Sequence, residues 1–275
     1  MMSGSAINNS TTLQVLICTF GEEGIKRIVS ANHPQVEGVE YLVSWQLPDG
    51  DVDIPEKLST RSDFKIIKSS TRGLSRNRNI ALREASAPLC LIADDDVLYT
   101  SDQIKMVMDS FTSNPTADLI TFQYESKGDM KHYPSTSFLL SNPPKGYYVT
   151  SFEIAFRREK IIEAGIRFNE RFGIGAEFMA GEEEIFIHEA LNKGLTGIFI
   201  PEVIATHDHP TTGIRHANNP DFIRTKGAVF THTHPKTWPL RMIAHALRER
   251  PGISFCKYLS YWINGAIAEI RASHR

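Results

Sequence analysis

Nearly unbroken apolar runs of strand length constrain this chain more than any other feature. Leu13-Gln14-Val15-Leu16-Ile17-Cys18, Val39–Trp45, Phe64-Lys65-Ile66-Ile67 and Leu89-Cys90-Leu91-Ile92 are such runs, each followed by polar or turn-rich sequence. Runs that are apolar on both sides suit strands covered on both faces, as in a parallel sheet between helices. A helix is expected over Arg76–Ala85, with Ser75 as its N-cap and Pro88 beyond its end. A second starts at Ser101-Asp102 and places Ile104, Val107, Met108 and Phe111 at i, i+3, i+4 and i+7. Arg158–Ala164 and Glu182–Asn192 read as further helices, and Leu119–Tyr124, Tyr147–Phe156 and Gly197–Ile200 as further strands. The alternation predicts an α/β fold with a mostly parallel central sheet, whose ligands bind beyond the carboxyl ends of the strands.

From Trp238 onward the sequence reads as helical, broken at Pro251-Gly252. The expected layout is a disordered N-terminus over 1–12, one α/β domain over 13–235 and a helical C-terminal extension over 236–275. In that extension Trp238, Leu240, Met242, Ile243, Ala246 and Leu247 form an apolar stripe beside Arg241, His245, Arg248 and Arg250. A basic amphipathic region of this kind can lie on a membrane surface. Packing on the body of the protein or on another copy is the commoner use of such a helix, and it is the preferred reading.

A formal net charge of −2 over 275 residues excludes a generally polybasic surface, so nucleic acid is not an expected partner. Cys18, Cys90 and Cys256 are odd in number and far apart, which suits free thiols in a reducing compartment and makes no zinc pattern. The polar start and the lack of a stretch approaching about 18 apolar residues point to a cytoplasmic protein, with peripheral attachment to the inner face of a membrane left open.

The chemistry concentrates in four places. Asp94-Asp95-Asp96 directly follows an apolar strand, and three adjacent carboxylates repel one another unless a cation neutralises them. Oxygen ligands of this type suit Mg²⁺ or Mn²⁺ bridged to a phosphate, and in an extended segment Asp94 and Asp96 would point the same way with Asp95 opposite. Arg72-Gly73-Leu74-Ser75-Arg76-Asn77-Arg78-Asn79 places a glycine turn, a helix start and three arginines together, a setting for a diphosphate. In Gly181-Glu182-Glu183-Glu184, helical spacing aligns Glu183 with Phe186, Ile187, Ala190 and Leu191, so Glu183 is the preferred general base and Glu182 its off-stripe neighbour. His207-Asp208-His209 offers a metal ligand in a loop, with the choice between His207 and His209 open. His232 and His234 are read as lying on a surface segment.

Taken in order, Thr19-Phe20, the 72–79 segment, Asp94-Asp95-Asp96, Phe168-Asn169-Glu170-Arg171-Phe172-Gly173, Gly181-Glu182-Glu183 and His207 resemble the inverting GT-A glycosyltransferases of family two, over roughly Leu13 to Gly213. The resemblance implies a nucleotide-diphospho-sugar transferase fold that moves a sugar from a nucleotide-sugar donor to a saccharide or glycolipid acceptor, as in surface-polysaccharide assembly. It implies that Thr19, Phe20 and Glu22 contact the nucleotide, with Arg72, Arg76 and Asn79 near base and phosphates. Asp94, with Asp95 beside it, would face the donor. Asp96, Asp94 and His207 would hold Mn²⁺ or Mg²⁺, and Glu183 would be the base. The family's second strand ends in paired acids; here Ser44-Trp45-Gln46 stands in that place, and Trp45 is expected to stack on the donor base. Three rival readings stand beside it: a nucleotidyltransferase, disfavoured by the acidic loop after the first strand, a metal-dependent hydrolase, and a degenerate transferase fold serving as an interaction module.

Overall fold

A computed structural model of the chain describes residues 12–126, 131–208, 219–249 and 253–273. The predicted disordered N-terminus lies, apart from Thr12, outside the described residues, as does His209.

The apolar runs become strands β1 (Leu13–Phe20), β2 (Val39–Gln46), β3 (Phe64–Ser69) and β4 (Leu89–Asp94), joined by β5 (Leu119–Glu125), β6 (Phe138–Leu139), β7 (Ile154–Arg157) and β8 (Gly197–Thr206). They form one sheet in the order β3-β2-β1-β4-β7-β5-β8-β6. The pairs β1–β2, β2–β3, β1–β4 and β5–β8 are parallel, and only β7 and β6 run against their neighbours. The mostly parallel sheet is as predicted. Because β7 is antiparallel to both β4 and β5, the carboxyl ends of β4 and β8 emerge on the same side.

The two faces of the sheet feed separate cores. Val15, Ile17, Tyr41, Val43, Leu91 and Ala93 belong to one cluster, whereas Leu16, Cys18, Leu42, Cys90 and Ile92 belong to the other. That odd–even division is the period of two of a strand. Full burial of one such aliphatic side chain stabilises by about 1.5–3 kcal/mol, so the central strands anchor everything hung from their ends.

The helices are α1 (Gly21–Ala31), α2 (Glu56–Ser59), α3 (Leu74–Glu84), α4 (Ser101–Ser113), α5 (Arg158–Glu163), α6 (Glu182–Asn192), α7 (Pro220–Thr233), α8 (Trp238–Glu249) and α9 (Phe255–Ser273). Helix α3 is capped by Gly73 rather than Ser75, and α4 by Thr100 in a reciprocal capping box with Gln103. The predicted strand Tyr147–Phe156 is shorter, because a 3₁₀ turn over Ser151–Glu153 precedes β7. Helix α1 and helix α7 were not expected from the sequence.

Helices α7 and α9 cross almost backbone to backbone. A Cβ on Gly227 would sit 2.1 Å from the Trp262 carbonyl oxygen, and one on Gly265 would sit 1.9 Å from that of Arg224. Beyond the crossing, α7 touches the start of α6: a Cβ on Gly181 would lie 2.4 Å from Val229. His232, on α7, bonds Glu189 of α6 at 3.2 Å and Glu269 of α9 at 2.8 Å. The His232-Thr233-His234 segment is therefore no surface stretch. It closes a helix, with His232 half-buried between two carboxylates.

Candidate active site

The carboxyl ends of β1 and β4 meet over α1. Asp95 is buried, accepts a hydrogen bond from Thr19 Oγ1 at 2.5 Å, and is held by Arg27 of α1 through contacts of 2.8 and 3.0 Å. A Cβ on Gly24 would lie 2.0 Å from Thr19 Oγ1, so only glycine lets α1 approach this closely. Burial raises the Asp95 pKa, with the Arg27 and Thr19 bonds opposing. Both of its oxygens are engaged inside the protein, and Asp95 and Thr19 serve as a clasp rather than as the ligand contacts expected of them.

The strand ends at Asp94, and the chain then turns, so Asp94 and Asp96 do not project together as an extended segment would require. Asp94 is bonded by Arg78 at 2.8 Å and by Ser151 Oγ at 3.2 Å. Asp96 lies instead beside His207, with Oδ2 3.4 Å from Nε2. Burial works to raise the Asp96 pKa, but the hydrogen bond and charge of His207 outweigh it and the net shift is downward. Of the three expected metal ligands, Asp96 and His207 lie together and Asp94 is apart. Among the described residues, no three His, Cys, Asp or Glu side chains converge as a metal site.

Arg78, expected only as one of three arginines in a diphosphate setting, has a role that sequence reasoning missed. Its side chain is 3% exposed and bridges Asp94 to Glu182, with 2.6 Å to Glu182 Oε1. Burial works against its charge, and Asp94 and then Glu182 more than restore it, so its pKa is raised. Of the arginines expected at the site, Arg76 points elsewhere. Arg76 is exposed and paired with Glu170 at 2.9 Å, and the Asn79 side chain both donates to the Phe168 carbonyl and accepts from its N–H. The start of α3 is likewise in use, since the Leu74 N–H donates to the Ile174 carbonyl and Ser75 Oγ to that of Phe172. Arg76, Asn79 and the helix start thus brace the 168–175 segment instead of forming an open diphosphate cradle.

Helix α6 is rotated by about one residue from its predicted phase. Its buried positions are Glu182, Ile185, Phe186 and Ala190, so Glu182 heads the buried stripe and Glu183 is half-buried beside it. Glu182 has Arg78 for a partner. Glu183 has none comparable: desolvation, and then the neighbouring Glu182, push its pKa well above the ordinary carboxylate value. The preference for Glu183 as base was reached from the wrong helix phase, and its raised pKa is the independent observation in its favour.

Around the ends of β1, β2 and β3 the aromatic side chains exchange roles. Trp45 is fully buried, and its indole N–H donates to the Gly21 carbonyl at 2.8 Å. It cannot stack on a base without leaving the core, because β2 is covered on both faces. Phe20 is the exposed ring, with the Arg72 guanidinium 5.6 Å from its centroid and Asp49 2.7 Å from Arg72. Glu22 is exposed nearby. Gln46, in the place of the paired acids, is buried and donates to Thr71 Oγ1 and the Gly73 carbonyl. A separate groove of about 490 Å³, lined by Asp102, Met106, Asp109 and Ile200, contains none of these residues.

Residues 15–181 match the model of a family described as Glycosyl transferase family 2. No curated protein matches the sequence. Among solved structures, S. aureus TarS 1–349 in complex with UDP-GlcNAc is similar, with a TM-score of 0.64 at 15% identity over 92% of this chain and 79% of that one. The mannosyltransferase PcManGT from Pyrobaculum calidifontis, in complex with GDP-Man and Mn²⁺, gives a TM-score of 0.57 at 15% identity over 95% of this chain and 87% of that one. At such identities the likeness is one of fold.

Proposed function

Because the chain belongs to glycosyl transferase family 2, we infer that it moves a sugar from a nucleotide-diphospho-sugar to an acceptor hydroxyl, inverting the anomeric centre in one displacement. The observation that carries the reading is the pairing of Asp94, at the end of β4, with Glu182, at the start of α6, through Arg78, beside an uncommitted Glu183 of raised pKa. Glu183 takes the acceptor proton as that oxygen attacks. A carboxylate whose pKa is raised toward the working pH is a stronger base than an ordinary one. Arg78 holds Asp94 and Glu182 in fixed positions around it. Phe20 offers the nucleotide base an exposed ring, with Arg72 above it.

Asp96 and His207 fit a divalent cation, since a hard carboxylate and an imidazole lie side by side there. These two would hold Mn²⁺ or Mg²⁺, which would neutralise charge on the departing diphosphate. The neighbours solved with UDP-GlcNAc and with GDP-Man and Mn²⁺ make those two donors the first to test. A saccharide or glycolipid is the acceptor class inferred from the family resemblance.

The test is thermal stabilisation by UDP and GDP, each with Mn²⁺ and with EDTA. A saturating ligand at about 100 times its Kd stabilises by about 2.7 kcal/mol. The stabilisation is expected with Mn²⁺ and should vanish in Asp96→Ala, with the apo variant still folded. Equal stabilisation in EDTA refutes the metal assignment, and no stabilisation by any nucleoside diphosphate refutes the donor class.

A further inference from the structure

Helices α8 and α9 each carry two apolar faces, and only one of them is used inside the protein. On α8, Met242 and Ala246 pack with Ile223, Tyr258 and Trp262 in a small core. Leu240, Ile243 and Leu247, at i, i+3 and i+7 on a flanking face roughly 110° round the helix, are 73%, 43% and 57% exposed. On α9, Tyr258, Trp262 and Ala266 are buried, while Ile263, Ile267 and Ile270, at i, i+4 and i+7, are exposed. Single exposed apolar residues are ordinary, but an adjoining row on a helix marks a contact surface.

The charge around these rows selects the occupant. From residue 236 onward the sequence has seven Lys and Arg against two Asp and Glu, although the whole chain has 30 against 32. Lys236, Arg241, Arg248, Lys257 and Arg271 are all exposed. Glu269 is buried and committed to Arg171 and His232. Among the described side chains of this region there are thus five exposed cations and no exposed anion. A two-fold contact with a second copy would set these cations against themselves. An anionic surface would neutralise them while the leucines and isoleucines enter its apolar layer. Among the described residues no helix is long and apolar enough to cross a membrane.

We propose that α8, with the exposed row of α9, docks this protein onto an anionic lipid bilayer. The docking does not depend on the catalytic reading. The test is flotation of the full chain with phosphatidylcholine vesicles, with and without roughly 30% phosphatidylglycerol. The protein floats with the anionic vesicles and not with the neutral ones, and high salt reduces the binding. Each cation near an anionic surface contributes about fivefold to partitioning, so Arg241→Ser, Arg248→Ser and Lys257→Ser together lower it about 100-fold. Leu240→Ser and Ile243→Ser also release the protein, without lowering its melting temperature, because both residues are exposed. Failure to float with anionic vesicles overturns the proposal. So does a stable dimer in light scattering that the Leu240→Ser, Ile243→Ser variant disperses, since the surface then belongs to a second copy.

Discussion

Replacing Arg78 by Met removes a buried cation between two carboxylates and keeps most of the side-chain volume. The two ends of the bridge contribute differently. The Asp94 side chain is 30% exposed and can be rehydrated, so its share is small. The Glu182 side chain is 7% exposed and would be left as a buried, unpaired charge. Breaking a buried pair from one side typically costs 3–5 kcal/mol, and with only one end fully buried the expectation is about 3 kcal/mol. For a chain of this size that lowers Tm by about 10 °C. The deficit should shrink at acidic pH, where the stranded Glu182 takes up a proton, and grow as pH rises. Adding Glu182→Gln removes the stranded charge, so the double variant should recover about 2 kcal/mol relative to Arg78→Met alone. Calorimetry of the four proteins gives the cycle directly. A single variant that melts within about 2 °C of the parent would refute the reasoning, since it implies a cost below roughly 1 kcal/mol. A double variant no more stable than the single would do the same.

Glu183→Gln should lower the transfer rate by about 10²- to 10⁴-fold at saturating donor while nucleotide affinity is kept. The same change should raise Tm at neutral pH: the folded pKa lies above the unfolded one, so the parent loses stability as pH rises and the glutamine variant does not. The parent's rate should climb with pH as Glu183 ionises, and a flat profile from acid to neutral would count against it. His232, raised to about 9 by its bonds to Glu189 and Glu269, contributes stability that is complete below 6.5 and lost as pH rises through about 9. Melting curves of His232→Asn across that window should lack the decline. Trp45→Phe should cost about 1 kcal/mol by removing the indole hydrogen bond to the Gly21 carbonyl, yet leave nucleotide affinity unchanged. Phe20→Ala should instead weaken nucleotide binding by about tenfold, and titration calorimetry separates the two.

The sheet was legible because its strands are covered on both faces and therefore advertise themselves as apolar runs. The same property misled about Trp45: where both faces are buried, alternation gives no outward side, and an aromatic near a strand end looks available when it is core. Helix α1 was obscured by Gly21, Gly24 and two acids at its start, although Gly24 is there to admit Thr19 and Asp95. Helix α7 has a readable start in Asn219-Pro220, whose side chain and ring cap it. Its buried face mixes Phe222, Ile223 and Val229 with Thr225, Gly227, Ala228 and Thr231, and the small and polar members dilute the hydrophobic pattern. Arg78 stood within a segment already singled out, yet nothing local separates it from Arg76. Its distinction comes from carboxylates 16 and 104 residues away. The acids themselves were found, but which of Glu182 and Glu183 is buried turned on a helix phase that a stripe of mixed apolar and polar residues did not determine.

The crossing of α7 and α9 at Gly227 and Gly265 bears on how this chain could be recombined with its relatives. The span that matches the family model ends at Gly181, one residue before the two glutamates. From that point α6 rests on Val229 and is tied through Glu189 to His232, both on α7, which is itself locked to α9 without room for a methyl group. The inherited scaffold and the segment that steadies its reactive end are thus different parts of the polypeptide. A graft that carried residues 15–181 into another transferase would bring Asp94, Asp95, Asp96 and Arg78, but Glu182 and the proposed base Glu183 would have to come from the host.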